Sequence, residues 1–251
     1  MNILGIIVEY NPFHNGHLFH LEQAKKLANA DYVIAVMSGN FMQRGVPAFL
    51  DKWSRTKMAL SCGVDMVIEL PVTHASTSAE NFAFGAISIL ENLKIVDSVC
   101  FGSELGNIET LKELSNILSN EPNSFKKHLK EHLDLGLTFP KARSNALYKY
   151  ITENNLFSIS NEHLENILNS PNNILGIEYL KALNKLHSNI VPYTITRKTA
   201  GYHDVEIHDS ISSATAIRNS VDNLDLIKSS MPDAAFEILK EDLNELLHNH
   251  G

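Results

Sequence analysis

Ile3-Leu4-Gly5-Ile6-Ile7-Val8-Glu9-Tyr10-Asn11-Pro12-Phe13-His14-Asn15-Gly16-His17 is the stretch whose reading decides the fold. Its first six residues are a short apolar run with no polar alternation, the pattern of a strand covered on both faces. Asn11-Pro12 then supplies a turn, and from Gly16 onward Leu18, Leu21, Ala24, Leu27 and Ala28 recur at helical spacing. The segment therefore reads strand, loop, helix. The same alternation continues downstream, with strands expected at 32–37, 65–70 and 98–101 and helices at 52–62 and 79–93. Alternating buried strands and helices specify a parallel sheet with helices on both faces, so the expected class is α/β, a Rossmann-like doubly wound sheet.

Beyond Gly106 the pattern changes. Residues 108–118, 124–133, 141–152 and 162–169 read as helices with no strand between them, which gives a helical insertion at about 107–186 that ends in a further helix over 174–186. An alternating strand follows at 189–196, and Ser212 or Ser213 caps a last helical region. The expected organisation is a catalytic domain over 1–220 carrying that insertion, then a C-terminal helical extension over 221–251.

With 44% hydrophobic residues the chain has enough apolar surface for a substantial core, which excludes global disorder. Cys62 and Cys100 sit in apolar runs with no CxxC or Cys/His spacing, so neither a disulfide framework nor a structural zinc site is expected. No basic leader precedes Ile3 and no stretch approaches the ~20 apolar residues of a membrane span, so a soluble cytoplasmic protein is expected. The net charge of -8 denies the whole molecule the positive field of a typical nucleic-acid binder, so any RNA contact must use a local patch. Lys126, Lys127, Lys130, Lys141 and Arg143 offer one, although such clusters are more often solvated helix faces.

Chemistry concentrates at two places. In an open parallel sheet the ligand crevice lies at the carboxyl ends of the strands, and the first strand-to-helix loop borders it. His14 and His17, three apart at a helix start, present their rings to one side of the first turn, where unpaired N–H groups and the helix dipole favour an anion. Gly16 lets a phosphate or an adenine ring approach the backbone. Two imidazoles donating to a phosphoryl group stabilise charge growing on its oxygens. The bland alternative is two surface histidines, and HxxHxxH with His20 invites a metal reading, but His20 lies about 120° from His14 around a helix. The second place is Ile211-Ser212-Ser213-Ala214-Thr215-Ala216-Ile217-Arg218, where hydroxyls at a helix start either cap it or bind a ligand oxygen, and Arg218 shares a face with Thr215.

Together, a strand followed by HxGH and a distal SSxTxxR-like helix start resemble the HIGH-motif nucleotidyltransferase superfamily. Ala214 is an insertion relative to the usual ISSTxIR form. The resemblance narrows through five segments in order: Gly5 to His17, Met37-Ser38-Gly39-Asn40-Phe41-Met42-Gln43-Arg44-Gly45, Phe101-Gly102-Ser103-Glu104, Ser170-Pro171-Asn172-Asn173-Ile174-Leu175-Gly176 and Ala200-Gly201-Tyr202-His203-Asp204. These are similar to the bacterial tRNA(Met) cytidine acetate ligase family. Members of that family extend further at the C-terminus into a region thought to help hold tRNA, so this chain is expected to be shortened relative to them.

The resemblance implies ATP-dependent activation of acetate to acetyl-adenylate, followed by acetyl transfer to N4 of the wobble cytidine of elongator tRNA(Met). It implies ATP contacts from Ile7, Val8, Glu9, Tyr10, Asn11, Pro12, Phe13, His14, Asn15, Gly16, His17, Leu18, Phe19 and His20, and from Gly102, Asn172, Asn173 and Arg197. His14, His17 and Arg218 are the expected catalytic groups, and Ser212, Ser213 and Thr215 of the distal motif are expected to contact ATP as well. For Asn172 and Asn173, helix capping is the competing role. Gln43 and Arg44 are candidates for acetate or tRNA contact, and Mg²⁺ is expected with the triphosphate. Two other functions fit the same motifs: a small-molecule adenylyltransferase of the mononucleotide or phosphopantetheine type, and a non-catalytic nucleotide-binding RNA module.

Overall fold

The structure is a computed structural model and describes residues 1–197 and 213–249. Its strands are β1 (Ile3–Val8), β2 (Tyr32–Ser38), β3 (Met66–Leu70), β4 (Ser98–Ser103) and β5 (Val191–Thr196). They form one parallel sheet in the order β3-β2-β1-β4-β5. The helices are α1 (Asn15–Ala28), α2 (Lys52–Ser61), the single turn α3 (Val72–Ala75), α4 (Ala79–Leu93), α5 (Ile108–Asn120), α6 (Asn123–Asp134), α7 (Phe139–Glu153), α8 (Asn161–Asn169), α9 (Pro171–Lys185), α10 (Ala214–Asn219), α11 (Leu224–Lys228) and α12 (Asp233–Asn249).

Because successive strand side chains point to opposite faces, each strand feeds two cores. Ile3, Ile34, Val36, Val99 and Phe101 enter one, which α4, α5 and α9 cover. Leu4, Ile6, Val33, Ala35, Met37 and Cys100 enter the other, with Leu21 of α1, Met58 of α2 and Phe236 and Leu239 of α12. On the first face Gly5 is a close approach: a Cβ there would lie 2.7 Å from Leu90 Cδ1 of α4. The helices between β4 and β5 are continuous with that face, since Phe125, Leu147, Leu164 and Ile167 belong to the same apolar cluster as the strands.

Most boundaries shift by one to three residues from the sequence reading, and two of the shifts bear on the site. The strand expected at 98–101 runs on to Ser103, because Gly102 and Ser103 pair with Ile195 and Thr196. The helix expected from residue 174 starts at Pro171, whose missing N–H costs nothing at the first helical position. The direction of strand order reverses between β1 and β4, the position at whose carboxyl ends an open α/β sheet holds its ligand crevice.

Candidate active site

The β1 loop folds its aromatic residues inward. Tyr10, at φ 45°, and Phe13 are buried and meet edge-on at 4.6 Å. Tyr10 also lies 4.8 Å from the His17 ring. Burial, with Cys62 adding to it, pushes the Tyr10 phenol above its ordinary range. What Tyr10 and Phe13 offer the crevice is therefore backbone, while their rings anchor the loop. Ile7 and Val8 pack their side chains against the two cores, and Leu18 against the second.

His14 is the N-cap of α1. Its Nδ1 accepts the Gly16 N–H at 3.0 Å, and the His14 N–H donates to His17 Nδ1 at 3.3 Å, closing a reciprocal capping box. The two rings stack with centroids 3.7 Å apart. Since both Nδ1 atoms accept, each proton sits on Nε2, and each Nε2–H is left for a ligand. Burial, and after it the Arg197 guanidinium, lower the His14 pKa to about 3 and the His20 pKa to about 4. Contact with the Phe101 backbone partly offsets the effect at His20. Burial, then His14, then Arg197 and His20 hold His17 well below its ordinary value. At neutral pH the histidines are uncharged donors. His20 Nε2 is buried with no hydrogen-bond partner among the described residues.

The expected anion site of free backbone N–H groups at the start of α1 is not what forms. Asn15 N–H donates to Ser230 O at 3.0 Å, Gly16 N–H to His14, and His17 and Leu18 N–H to His14 O at 2.8 and 3.1 Å. The first turn is satisfied internally, which hands recognition of an anion to the imidazole Nε2–H groups. Asn15 Nδ2 also donates to Ser229 O at 2.8 Å, tying the turn to the segment before α12.

Across the crevice, Gly102 faces His20 and Arg197: a Cβ there would lie 3.1 Å from Arg197 Cγ and 3.8 Å from His20 Cδ2. Arg197 is fixed by its N–H to Ser103 O at 3.0 Å and by Nη1 to Asn172 Oδ1 at 3.1 Å. Glu104, named in the sequence only as the end of the Phe101-Gly102-Ser103-Glu104 segment and given no role there, organises this wall. It accepts Asn172 Nδ2 at 2.6 Å, Asn172 N–H at 3.2 Å and Asn173 N–H at 2.8 Å, so a carboxylate closes the N-terminus of α9. Asn173 Oδ1 in turn accepts Leu105 N–H at 3.0 Å. Asn173 is thus a buried connector, and Asn172 carries Arg197 toward the histidines.

Ser213 Oγ accepts Ala216 N–H at 3.1 Å and acts as the cap of α10, while Ser212 and the 200–204 segment lie outside the described residues. Arg218 donates through Nη1 to Asn11 O at 2.6 Å and through Nη2 to Thr215 Oγ1 at 3.0 Å, so the distal motif is brought against the β1 loop. Gln43 donates its N–H to Glu9 Oε1 and its Nε2 to Thr77 O, both at 2.6 Å. Its side-chain amide ties the β2 loop to the residues before α4, and Arg44 is exposed. Among the described residues no helix is long and apolar enough to cross a membrane.

Comparison with known proteins agrees with this fold. The chain is 54% identical over 243 residues to the tRNA(Met) cytidine acetate ligase of Clostridium perfringens, a match covering 96% of this chain and 60% of that protein. It is 50% identical over 250 residues to the ligase of the same name from Alkaliphilus metalliredigens, covering 98% and 59%. A crystal structure of Thermotoga maritima TmcAL bound with alpha-thio ATP superposes with a TM-score of 0.87 at 44% identity, covering 98% of this chain and 56% of that one. The apo form of the same protein gives 0.91 at 45% identity, covering 98% and 57%. The chain thus spans about 60% of the length of these relatives. The HIGH Nucleotidyl Transferase family model matches residues 1–250, and the chain belongs to that family.

Proposed function

We propose that the chain uses ATP to activate acetate as acetyl-adenylate and passes the acetyl group to N4 of the wobble cytidine of elongator tRNA(Met). The observation that carries the chemistry is the neutral, capping-box-locked pair His14 and His17, whose Nε2–H donors border a crevice walled by Gly102 and Arg197. The names of the relatives support the substrates, and the ATP analogue bound by the Thermotoga protein supports the nucleotide.

In the first step a carboxylate oxygen of acetate bonds to the α-phosphorus, the bond from that phosphorus to the bridging oxygen breaks, and pyrophosphate leaves. The Nε2–H groups of His14 and His17 meet the negative charge spread over the phosphoryl oxygens. Arg197 and Arg218 supply positive charge to the triphosphate, and Gly102 leaves room for the adenosine. Mg²⁺ would accompany the nucleotide and neutralise charge on its triphosphate. In the second step N4 of cytidine attacks the acetyl carbonyl carbon, the bond to AMP breaks, and the amine proton is lost to solvent. Gln43 and Arg44 are the β2-loop candidates for acetate or tRNA contact. These substrates belong to a cytoplasmic setting.

The direct test incubates the chain with ATP, Mg²⁺, acetate and elongator tRNA(Met) and looks for N4-acetylcytidine by mass spectrometry of nuclease digests. Its formation, dependent on both ATP and acetate, is expected. Pyrophosphate release driven by a mononucleotide or phosphopantetheine and indifferent to acetate contradicts the proposal.

A further inference from the structure

Arg55 lies on α2, on the same helical face as Met58 and Ala59, and is fully buried. Its side chain reaches backbone carbonyls rather than a carboxylate. Nε donates to Leu50 O at 3.1 Å, and Nη1 donates to Glu9 O at 2.7 Å and Ser38 O at 3.1 Å, while Nη2 donates to Gly39 O. Two of these carbonyls belong to the residues that follow β1 and β2, and a third to the last residue of β2. There the parallel ladder between the two strands ends, and carbonyls past that point need another donor. Burial lowers the Arg55 pKa, and the nearby Glu9, Asp51 and Glu69 carboxylates offset part of that effect. A planar fork of fixed N–H directions can span the gap between two strand ends, and a lysine ammonium cannot reproduce that set.

The gap bridged in this way separates the loop that carries His14 and His17 from the loop that carries Gln43 and Arg44. Two further ties cross it: Gln43 N–H to Glu9 Oε1, and Phe49 N–H to Asn11 Oδ1 at 2.7 Å. Arg55 differs from them in being sealed from solvent and in joining main chain to main chain on both sides. We propose that Arg55 is a positioning residue for phosphoryl chemistry, setting the separation of the β1 and β2 loops and so the alignment of the attacking group with the phosphoryl-facing imidazoles. This inference rests on the adenylating reading of the site.

The test compares wild type with Arg55→Lys in acetate-dependent ATP–pyrophosphate exchange, with rates expressed per ATP-binding site counted by calorimetry. Misplacement of the order of 1 Å costs about 10²-fold in rate. kcat is therefore expected to fall by about that factor, with KM for ATP within about threefold, because Gly102, Asn172 and Arg197 lie on the opposite wall. A merely structural role lowers the melting temperature and leaves kcat per binding site unchanged; kcat within twofold of wild type overturns the proposal. Should Arg55→Lys not fold, Arg55→Gln replaces the fork with a shorter, neutral amide and leaves no buried charge without a partner. The same split between kcat and KM is expected there, and a normal kcat overturns the proposal. Wild-type chain that shows no acetate-dependent exchange refutes the adenylating reading instead, whatever the variants do.

Discussion

His14 carries two separable duties, and one pair of substitutions separates them. As the cap of α1 it accepts Gly16 N–H through Nδ1, and as a ligand donor it offers Nε2–H. His14→Ala removes both. Loss of a cap acceptor costs about 1 kcal/mol, within a range of about 0.5–2. In a domain of this size that corresponds to a fall of about 2–4 °C in melting temperature. Removal of one preorganised donor to a developing oxyanion costs about 10²–10³ in rate. His14→Asn places Oδ1 close to where Nδ1 sat and is among the best N-cap residues, so it restores the cap and leaves the donor missing. The expected outcome is that His14→Ala loses both stability and exchange, while His14→Asn recovers most of the melting temperature and remains about 10²–10³ below wild type. Thermal unfolding and acetate-dependent ATP–pyrophosphate exchange on the same preparations read the two quantities. Exchange that recovers in step with stability in His14→Asn refutes the assignment of a donor role to Nε2.

Stability is expected to fall as pH drops. His14 and His20 have folded pKa values of about 3 and about 4 against 6.5 in the unfolded chain, so between about 6.5 and 4 the unfolded chain binds protons that the native state excludes. Urea unfolding at pH 7.5, 6 and 5 checks this, and a flat profile contradicts it. Gly102→Val, with its Cβ placed 3.1 Å from Arg197 Cγ, is expected to raise KM for ATP about tenfold, as a steric cost of about 1.4 kcal/mol does, with little change in melting temperature. An unchanged KM removes Gly102 from the nucleotide wall. Glu104→Ala strips the carboxylate from Asn172 and Asn173 and is expected to cost about 1–3 kcal/mol in chemical denaturation. A loss below about 0.5 kcal/mol, the size of an ordinary surface substitution's effect, contradicts this role for Glu104.

The β-α alternation was legible because buried strands and amphipathic helices leave different periods in the sequence: the first four strands came from short apolar runs and the fifth from an alternating one. His14 and His17 were legible as a pair because a helix start fixes their relation locally. The identity of the anion-binding groups was not, because the Nδ1 caps and the Ser230 carbonyl that satisfy the first turn depend on ring rotamers and on a residue more than two hundred positions away. Glu104 was hidden for the same reason: its partners lie 68 and 69 residues downstream. Arg55 did leave a trace, as a charged residue on the apolar face of α2 beside Met58 and Ala59, but nothing local names its acceptors. The short turn α3 follows Pro71 and carries no periodicity to read.

The most direct test of nucleotide activation at the histidine pair is exchange of labelled pyrophosphate into ATP, with and without acetate, in wild type and His17→Ala. Exchange that requires acetate in wild type and falls by about 10²–10³ in a folded His17→Ala variant is the expected result. Exchange indifferent to acetate, or near-normal turnover without His17, contradicts it.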